Sequence, residues 1–535
     1  MRATFIKFLV IIVLYASFFG CARRGTPTGG PKDSIPPVLV EASPALNTIN
    51  FKSDKIKLVF DEYIKINELN KNLIISPPQK NEPIIFPAGT ASKFISIKIL
   101  DTLDANTTYA FNFGNSIVDN NEGNKFQNFK YVFSTGTYID SLSLAGEITN
   151  PRVKKHVSNI DVMLYEYNDK YTDSIIYKQK PRYISNTLDS TLYEITNIKK
   201  GKYLLIALED TNRNKIYNPS VDKIGFINDT ITLPTSEKFN FTIFKEIPPL
   251  HVIKPKEVHK GHAIFGFEGN AKDLSIELLT ETPDDFKSKV IFEENKDTIN
   301  FWYTPFKADS LNFRVKKGDF EKEFTLNLRS SKIDSLKMSP SANGTLHLID
   351  TFFVATNTPI INFDKSQINI TKKDSTTVDF KPYVSKTSSK LYLEFNKEED
   401  TEYTIKILPK AITDIYQISN DSINYSLKTK KIEDYGVLIL NFSSTKKSAF
   451  IVELLNSKEE VIRTSKIEKA ATVKFDLVPP AKYMIRVTYD ENGNGKWDTG
   501  NYLQKIQPEK VKLFTKEIDI LANWELDESF NLDSL

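Results

Sequence analysis

The sequence predicts an all-β chain of tandem antiparallel β-sandwich domains. Three observations lead there. Apolar residues recur at every second position in short runs, as in Ile56, Leu58 and Phe60 or Ile95, Ile97 and Ile99, with Asn, Asp, Gly and Pro between the runs. Two stretches repeat in register: Tyr203 matches Tyr483, and Asp210, Asn212, Asn214 and Asn218 match Asp490, Asn492, Asn494 and Asp498, each 280 positions apart without a gap. The chain is also long and apolar enough, at 535 residues and 40% hydrophobic, to bury several separate cores.

Residues 1–20 combine a basic start (Arg2, Lys7), an apolar run from Phe8 to Phe19 and a small residue, Gly20. This describes a secretory signal peptide, too short to span a bilayer comfortably. Cys21, the only cysteine, sits where the cut is expected. The arrangement resembles the lipobox of bacterial lipoproteins, with Phe18 in place of the commoner leucine at −3. The resemblance implies that Cys21 carries a diacylglycerol thioether, becomes the first mature residue and anchors an exported chain to the outer membrane. In general style the chain is similar to lipoproteins of the Bacteroidetes type. No acidic cluster follows the cysteine, since the next residues are Ala22, Arg23, Arg24 and Gly25. That leans towards the periplasmic face and leaves the cell surface open. Residues 21–37 are rich in Pro and Gly and read as a tether.

Residues 38–137 alternate throughout. The strings PPVLVEASPALNTINFKSDKIKLVFDEYI, ISPP (75–78), TTYAF (107–111) and FSTG (133–136) resemble the bacterial Ig-like domain of S-layer proteins. The resemblance implies a sandwich without catalytic residues. Asp61 and Glu62 are neighbours on an extended segment, so their side chains point to opposite sides and cannot flank one bond. Residues 141–247 follow with a G-x-Y entry into the strand from Tyr203 to Leu208 and the loop after it. They resemble the prealbumin-like modules of carboxypeptidase regulatory domains. A middle β domain is expected over 248–334, a second Ig-like β domain over 335–432, a second prealbumin-like domain over 433–526, and an acidic, frayed tail over 527–535. A weaker echo at a shift of 294 links Tyr109 with Tyr403 and Thr135 with Thr429.

The D-x-N-x-N loops are the candidate metal sites. Oxygen side chains at alternate positions can converge on a hard cation such as calcium. Asp490, Asn492, Asn494 and Asp498 form the fuller set, with Gly495 at the turn and Asn501 where an EF-hand has its bidentate acid. Asp210, Asn212 and Asn214 form a poorer one, with Lys215 in place of the glycine. The other reading of both loops is a strand connection whose side chains bond the nearby backbone. His251, His259 and His262 fall within HVIKPKEVHKGH; without cysteine or an HExxH helix they read as exposed linker histidines.

Formal net charge is +3, with no basic stripe, which argues against nucleic acid. One cysteine excludes an intrachain disulfide. Neither a G-x-S-x-G elbow nor a phosphate-cradling loop occurs. The function expected is therefore non-catalytic: a rigid rod of sandwiches on a membrane anchor that binds or scaffolds an envelope protein or glycan. Two alternatives stand beside it, a glycan-binding surface protein using Trp302, Trp497 or Trp524, and an envelope hydrolase with an unrecognised site.

Overall fold

The computed structural model describes residues 33–533 except 156, 294, 295 and 447. Cys21, its signal and most of the tether lie outside the described residues, as does His156. The regular structure of the described chain is nearly all strand, with very little helix, in mainly antiparallel sheets. It divides into two compact units, with the boundary between Asp140 and Ser141.

In the first unit the alternation seen in sequence becomes burial. Strand Lys55–Ile66 points Ile56, Leu58, Phe60, Ile64 and Ile66 inward and leaves the residues between them exposed or half-buried. It pairs with Ser92–Lys98, setting Ile56 opposite Ile97 and Leu58 opposite Ile95. Strands Leu39–Ser43 and Ile84–Phe86 flank this pair, and a facing sheet is built from Ile74–Ser76, Thr108–Gly114 and Phe129–Ser134. Phe111, Phe113, Tyr131 and Phe133 fill the space between. Opposed inner faces of two sheets make the sandwich core.

The second unit holds further cores in succession, and its first and last modules share one topology. In the first, Tyr183–Asn186, Asp161–Glu166, Gly201–Glu209 and Lys223–Phe226 form one sheet, and Leu192–Ile198, Leu142–Thr149 and Phe241–Thr242 the other. In the last, Val461–Ile467, Ala449–Asn456, Ala481–Asp490 and Val511–Ile520 take the same order, faced by Thr472–Val478, Gly436–Ser443 and Glu525–Asn531. In both, the final strand runs parallel to the first.

That closing strand corrects the expectation of a frayed tail. Glu525–Asn531 pairs along its whole length with Gly436–Ser443, and Leu526, Phe530 and Leu532 pack into the core. Tyr489 donates its hydroxyl to the Leu532 carbonyl. Glu525 and Asp527 occupy the outward positions of an alternating strand, while Glu528 shares the face of Leu526 and Phe530 and is paired with Lys516 at 2.6 Å, so acidity there does not mark disorder.

The modules between them have their own sandwiches. One joins His262–Glu268, Thr298–Tyr303 and Ser288–Phe292 against Ser275–Leu278, Ser310–Lys317 and Phe320–Asn327. The next joins Phe352–Thr356 and Lys390–Glu394 against Ile423–Thr429, Glu402–Ile407 and Ile368–Lys372.

The second unit is not a linear array, contrary to the rod expected. Its last module returns to its first: the Tyr502 N–H donates to Glu246, Thr499 donates to the Lys245 carbonyl at 2.6 Å, and Gln507 donates to the Phe226 carbonyl at 3.0 Å. Alternation fixes which face of a strand is buried and carries no information about which modules meet.

Candidate functional site

The two D-x-N-x-N loops share a backbone although their sequences differ. Positions 213 and 215 adopt φ of 55° and 62°, and positions 493 and 495 adopt 70° and 73°. This is the left-handed region, which glycine enters freely and other residues enter at a cost of roughly 1–2 kcal/mol. The later loop has glycine at both places; the earlier one holds Arg213 and Lys215 there. In each, the leading aspartate closes the turn. Asp210 accepts the N–H groups of Asn214 (3.3 Å) and Lys215 (2.7 Å), and Asp490 accepts those of Asn494 (3.0 Å) and Gly495 (2.8 Å).

Lys215 has a reason to be there. Its ammonium lies 2.6 Å from Asp161 and 3.8 Å from Asp210, whose side chains are almost fully buried. Burial pushes the Asp161 carboxyl above its usual range, and the Lys215 charge opposes that push. The first loop therefore contains its own cation at the place where a metal would need the same carboxylates. Asn212 stays exposed. In the second loop Ile451, which occupies the register position of Asp161, takes that acid away. Asn492 and Asn494 donate their amides to one oxygen of Asp498 at 2.5 and 2.6 Å, and their carbonyl oxygens accept backbone N–H groups. Glu509 takes the N–H groups of Glu491 and Asp498 at 2.9 and 3.0 Å. Asp490, Asn492, Asn494 and Asp498 are thus brought together, but around each other and the backbone. Among the described residues no three His, Cys, Asp or Glu side chains are placed to hold a metal.

The tryptophans are not open platforms, with one exception. Trp302 is 6% exposed. Trp497 is covered by the Arg152 guanidinium 4.0 Å above its ring and donates its indole N–H to the Glu509 carbonyl. Both therefore correct the expectation of exposed sugar-binding rings. Trp524 is 63% exposed. Asp61 accepts the Val38 N–H at 2.9 Å, so it pins one strand to its neighbour.

The histidines correct a further expectation. They lie on strands, not in a linker, and His262 is 6% exposed. Its ring stacks on Trp302 with centroids 3.5 Å apart and planes 4° from parallel. Its Nε2 lies 2.7 Å from Asn300 Oδ1, and the Asn300 amide donates to Glu293 at 2.8 Å. Its Nδ1 faces His259 Nε2 at 3.4 Å. Burial holds the His262 pKa down to about 4, so the ring is neutral at neutral pH. This pair sits at one end of a cleft of about 680 Å³ that also takes in Asp334, Asn357 and Ser388. A three-residue histidine spacing alone did not reveal the stack: alternation puts Ala263 and Phe265 in the core and His262 on the other face, where Trp302 of the paired strand covers it.

The echo at 294 proves to be a shared hydrogen-bond set. Tyr109 accepts the Asp104 N–H at 2.9 Å and Tyr403 accepts the Glu398 N–H at 2.8 Å. Thr135 accepts from the Thr107 N–H at 3.0 Å and donates to the Asp104 carbonyl at 2.7 Å; Thr429 does the same with Thr401 at 3.0 Å and Glu398 at 2.5 Å.

Comparison with known proteins agrees with this geometry in the first unit. Residues 33–135 match the family model described as a bacterial Ig-like domain. No curated protein matches the chain. Among solved structures, domains 1–6 of the surface layer protein SbsC align over 91% of this chain and 68% of their own, at 12% identity and a TM-score of 0.15. The major pilin subunit BcpA of Bacillus cereus aligns over 73% and 99%, at 10% identity and 0.14. Domains A168–A170 of titin align over 52% and 97%, at 10% identity and 0.14. At such scores these likenesses carry no argument about function. The family matched at the N-terminal end is one of Ig-like domains, and no enzyme family is indicated.

Proposed function

We propose that the chain is a non-catalytic scaffold of the cell envelope, exported, lipid-anchored at Cys21, and presenting an Ig-like module together with a self-braced assembly of β modules. The observation that carries the reading is the return of the last module onto the first. Glu246, 6% exposed, accepts both the Tyr217 hydroxyl (2.6 Å) and the Tyr502 N–H, although Tyr502 lies 256 positions further along the chain. Lys154 adds ion-pair contact to Glu517 at 3.1 Å, and Arg486 donates to the Arg152 carbonyl at 3.1 Å. A chain that spends buried polar groups on holding its modules at fixed angles suits presentation of a surface to a partner.

The lipid anchor is tested by fractionating cells that produce the wild-type chain or Cys21→Ser while feeding labelled palmitate. The wild type should enter membranes and take up label, whereas Cys21→Ser should do neither. Membrane retention and labelling of Cys21→Ser would remove the anchor from the proposal. Protease treatment of intact and lysed cells then separates the two faces of the membrane.

A further inference from the structure

The histidine pair is arranged as ligands are. The Asn300 amide donates to the Glu293 carboxylate, which only accepts, so the Asn300 carbonyl oxygen must face His262. His262 Nε2 therefore carries the proton, and the lone pair of the neutral ring is on Nδ1. That nitrogen lies 3.4 Å from His259 Nε2. On the far side of His259, Nδ1 lies 3.5 Å from the Lys260 carbonyl, at the outer limit of a hydrogen bond. Each ring thus has a partner for its outer nitrogen. Histidines that bind metals are oriented in this way, with the second N–H given to a carbonyl or carboxylate.

The spacing fits as well. Two nitrogens about 2.0–2.1 Å from one tetrahedral zinc stand about 3.3–3.4 Å apart. For a direct hydrogen bond, 3.4 Å lies beyond the ordinary range of about 2.7–3.2 Å for an N–H donor. The stack on Trp302 and the contact with Asn300 fix the plane and turn of the His262 ring.

We propose that His259 and His262 bind a borderline divalent transition-metal cation, zinc foremost, at the end of the cleft they share with Asp334. Among the described residues no third His, Cys, Asp or Glu converges on the pair, so the remaining coordination positions face the cleft and fall to water. The carboxylate of Asp334, held by Asn357 at 2.8 Å, adds negative field without being a direct ligand. Imidazole nitrogens favour zinc, copper and nickel over calcium and magnesium.

The test is a titration of the metal-stripped full chain with zinc by calorimetry, and with cobalt(II) by its visible absorption. The expected result is one saturable site per chain, indifferent to excess calcium. His259→Ala and the bulkier His259→Gln, both at a half-buried position and checked for folding by circular dichroism, should bind at least tenfold more weakly. His251→Ala, exposed and on another strand, should bind as the wild type does. Absence of saturable binding, or equal affinity in the wild type and both His259 variants, overturns the proposal.

Discussion

Replacing Glu246 by alanine tests how firmly the first and last modules of residues 141–535 are joined. Two donors lose their acceptor, the Tyr217 hydroxyl and the Tyr502 N–H, and both lie in a buried setting. A buried donor left without a partner costs about 1–3 kcal/mol, so the pair amounts to about 2–6 kcal/mol. Alanine also removes the cost of burying a carboxylate, which places the expected loss near the low end, about 2 kcal/mol. Since every 1.4 kcal/mol is tenfold, the Tyr502 amide should then exchange its hydrogen roughly 30 times faster than in the wild type. Hydrogen-exchange mass spectrometry on the full chain reads this peptide by peptide. Glu246→Gln keeps a carbonyl oxygen but sets an N–H₂ against one of the donors, so an intermediate rate is expected. Protection at Tyr502 unchanged within twofold in Glu246→Ala would refute the idea that this carboxylate holds the junction.

Other consequences follow from individual side chains. Asp119, 2% exposed, accepts four backbone N–H groups from Asn121 to Asn124 at 2.7–3.1 Å. Burial pushes its carboxyl up, but these bonds outweigh burial and hold it below the usual range. Its stabilising contribution is therefore complete above the unfolded value of about 3.9 and is lost as pH falls through the folded value. Asp119→Asn should flatten that acid limb in pH-dependent unfolding of the first unit, and an unchanged acid limb would contradict it. Lys215→Met leaves Asp161 and Asp210 without their cation and should cost about 3–5 kcal/mol; a thermal midpoint equal to the wild type's would show that the ammonium is dispensable. Calcium and chelator should leave the midpoint of the wild type unchanged, because Lys215 serves the first loop and amide and backbone donors serve the second. A rise with added calcium would restore the metal reading of Asp490, Asn492, Asn494 and Asp498. Arg152→Ala uncovers Trp497, at a cost of about 1 kcal/mol, and should raise quenching of tryptophan emission by acrylamide; unaltered quenching would count against the stack.

Much of the fold was legible because its physics is local. Period-2 burial needs only a strand and one wet face, so Ile56, Leu58 and Phe60 announced their sheet, and the 280-position repeat announced two modules of one kind. The closing strand was legible too, in Leu526, Phe530 and Leu532, but Asp527, Glu528 and Asp533 drew attention to charge instead of spacing. The loops show the limit of a motif. D-x-N-x-N names side chains that can meet a cation or the backbone, and what surrounds them depends on residues outside it: Lys215 at the turn, and Asp161 or Ile451 on the adjacent strand. Lys215 stands next to the motif in sequence, whereas Asp161 and Ile451 are brought there by sheet register, which no short window of sequence contains. The histidine pair goes the other way. His-x-x-His looked weak because neither a helix nor a cysteine supported it, yet a tight hairpin sets His259 opposite His262 in register, and Asn300 and Trp302 arrive from the neighbouring strand to fix one ring's proton and plane. A sheet can assemble on adjacent strands what a helix assembles at i and i+4, so histidine spacing in an alternating segment is to be judged by cross-strand neighbours.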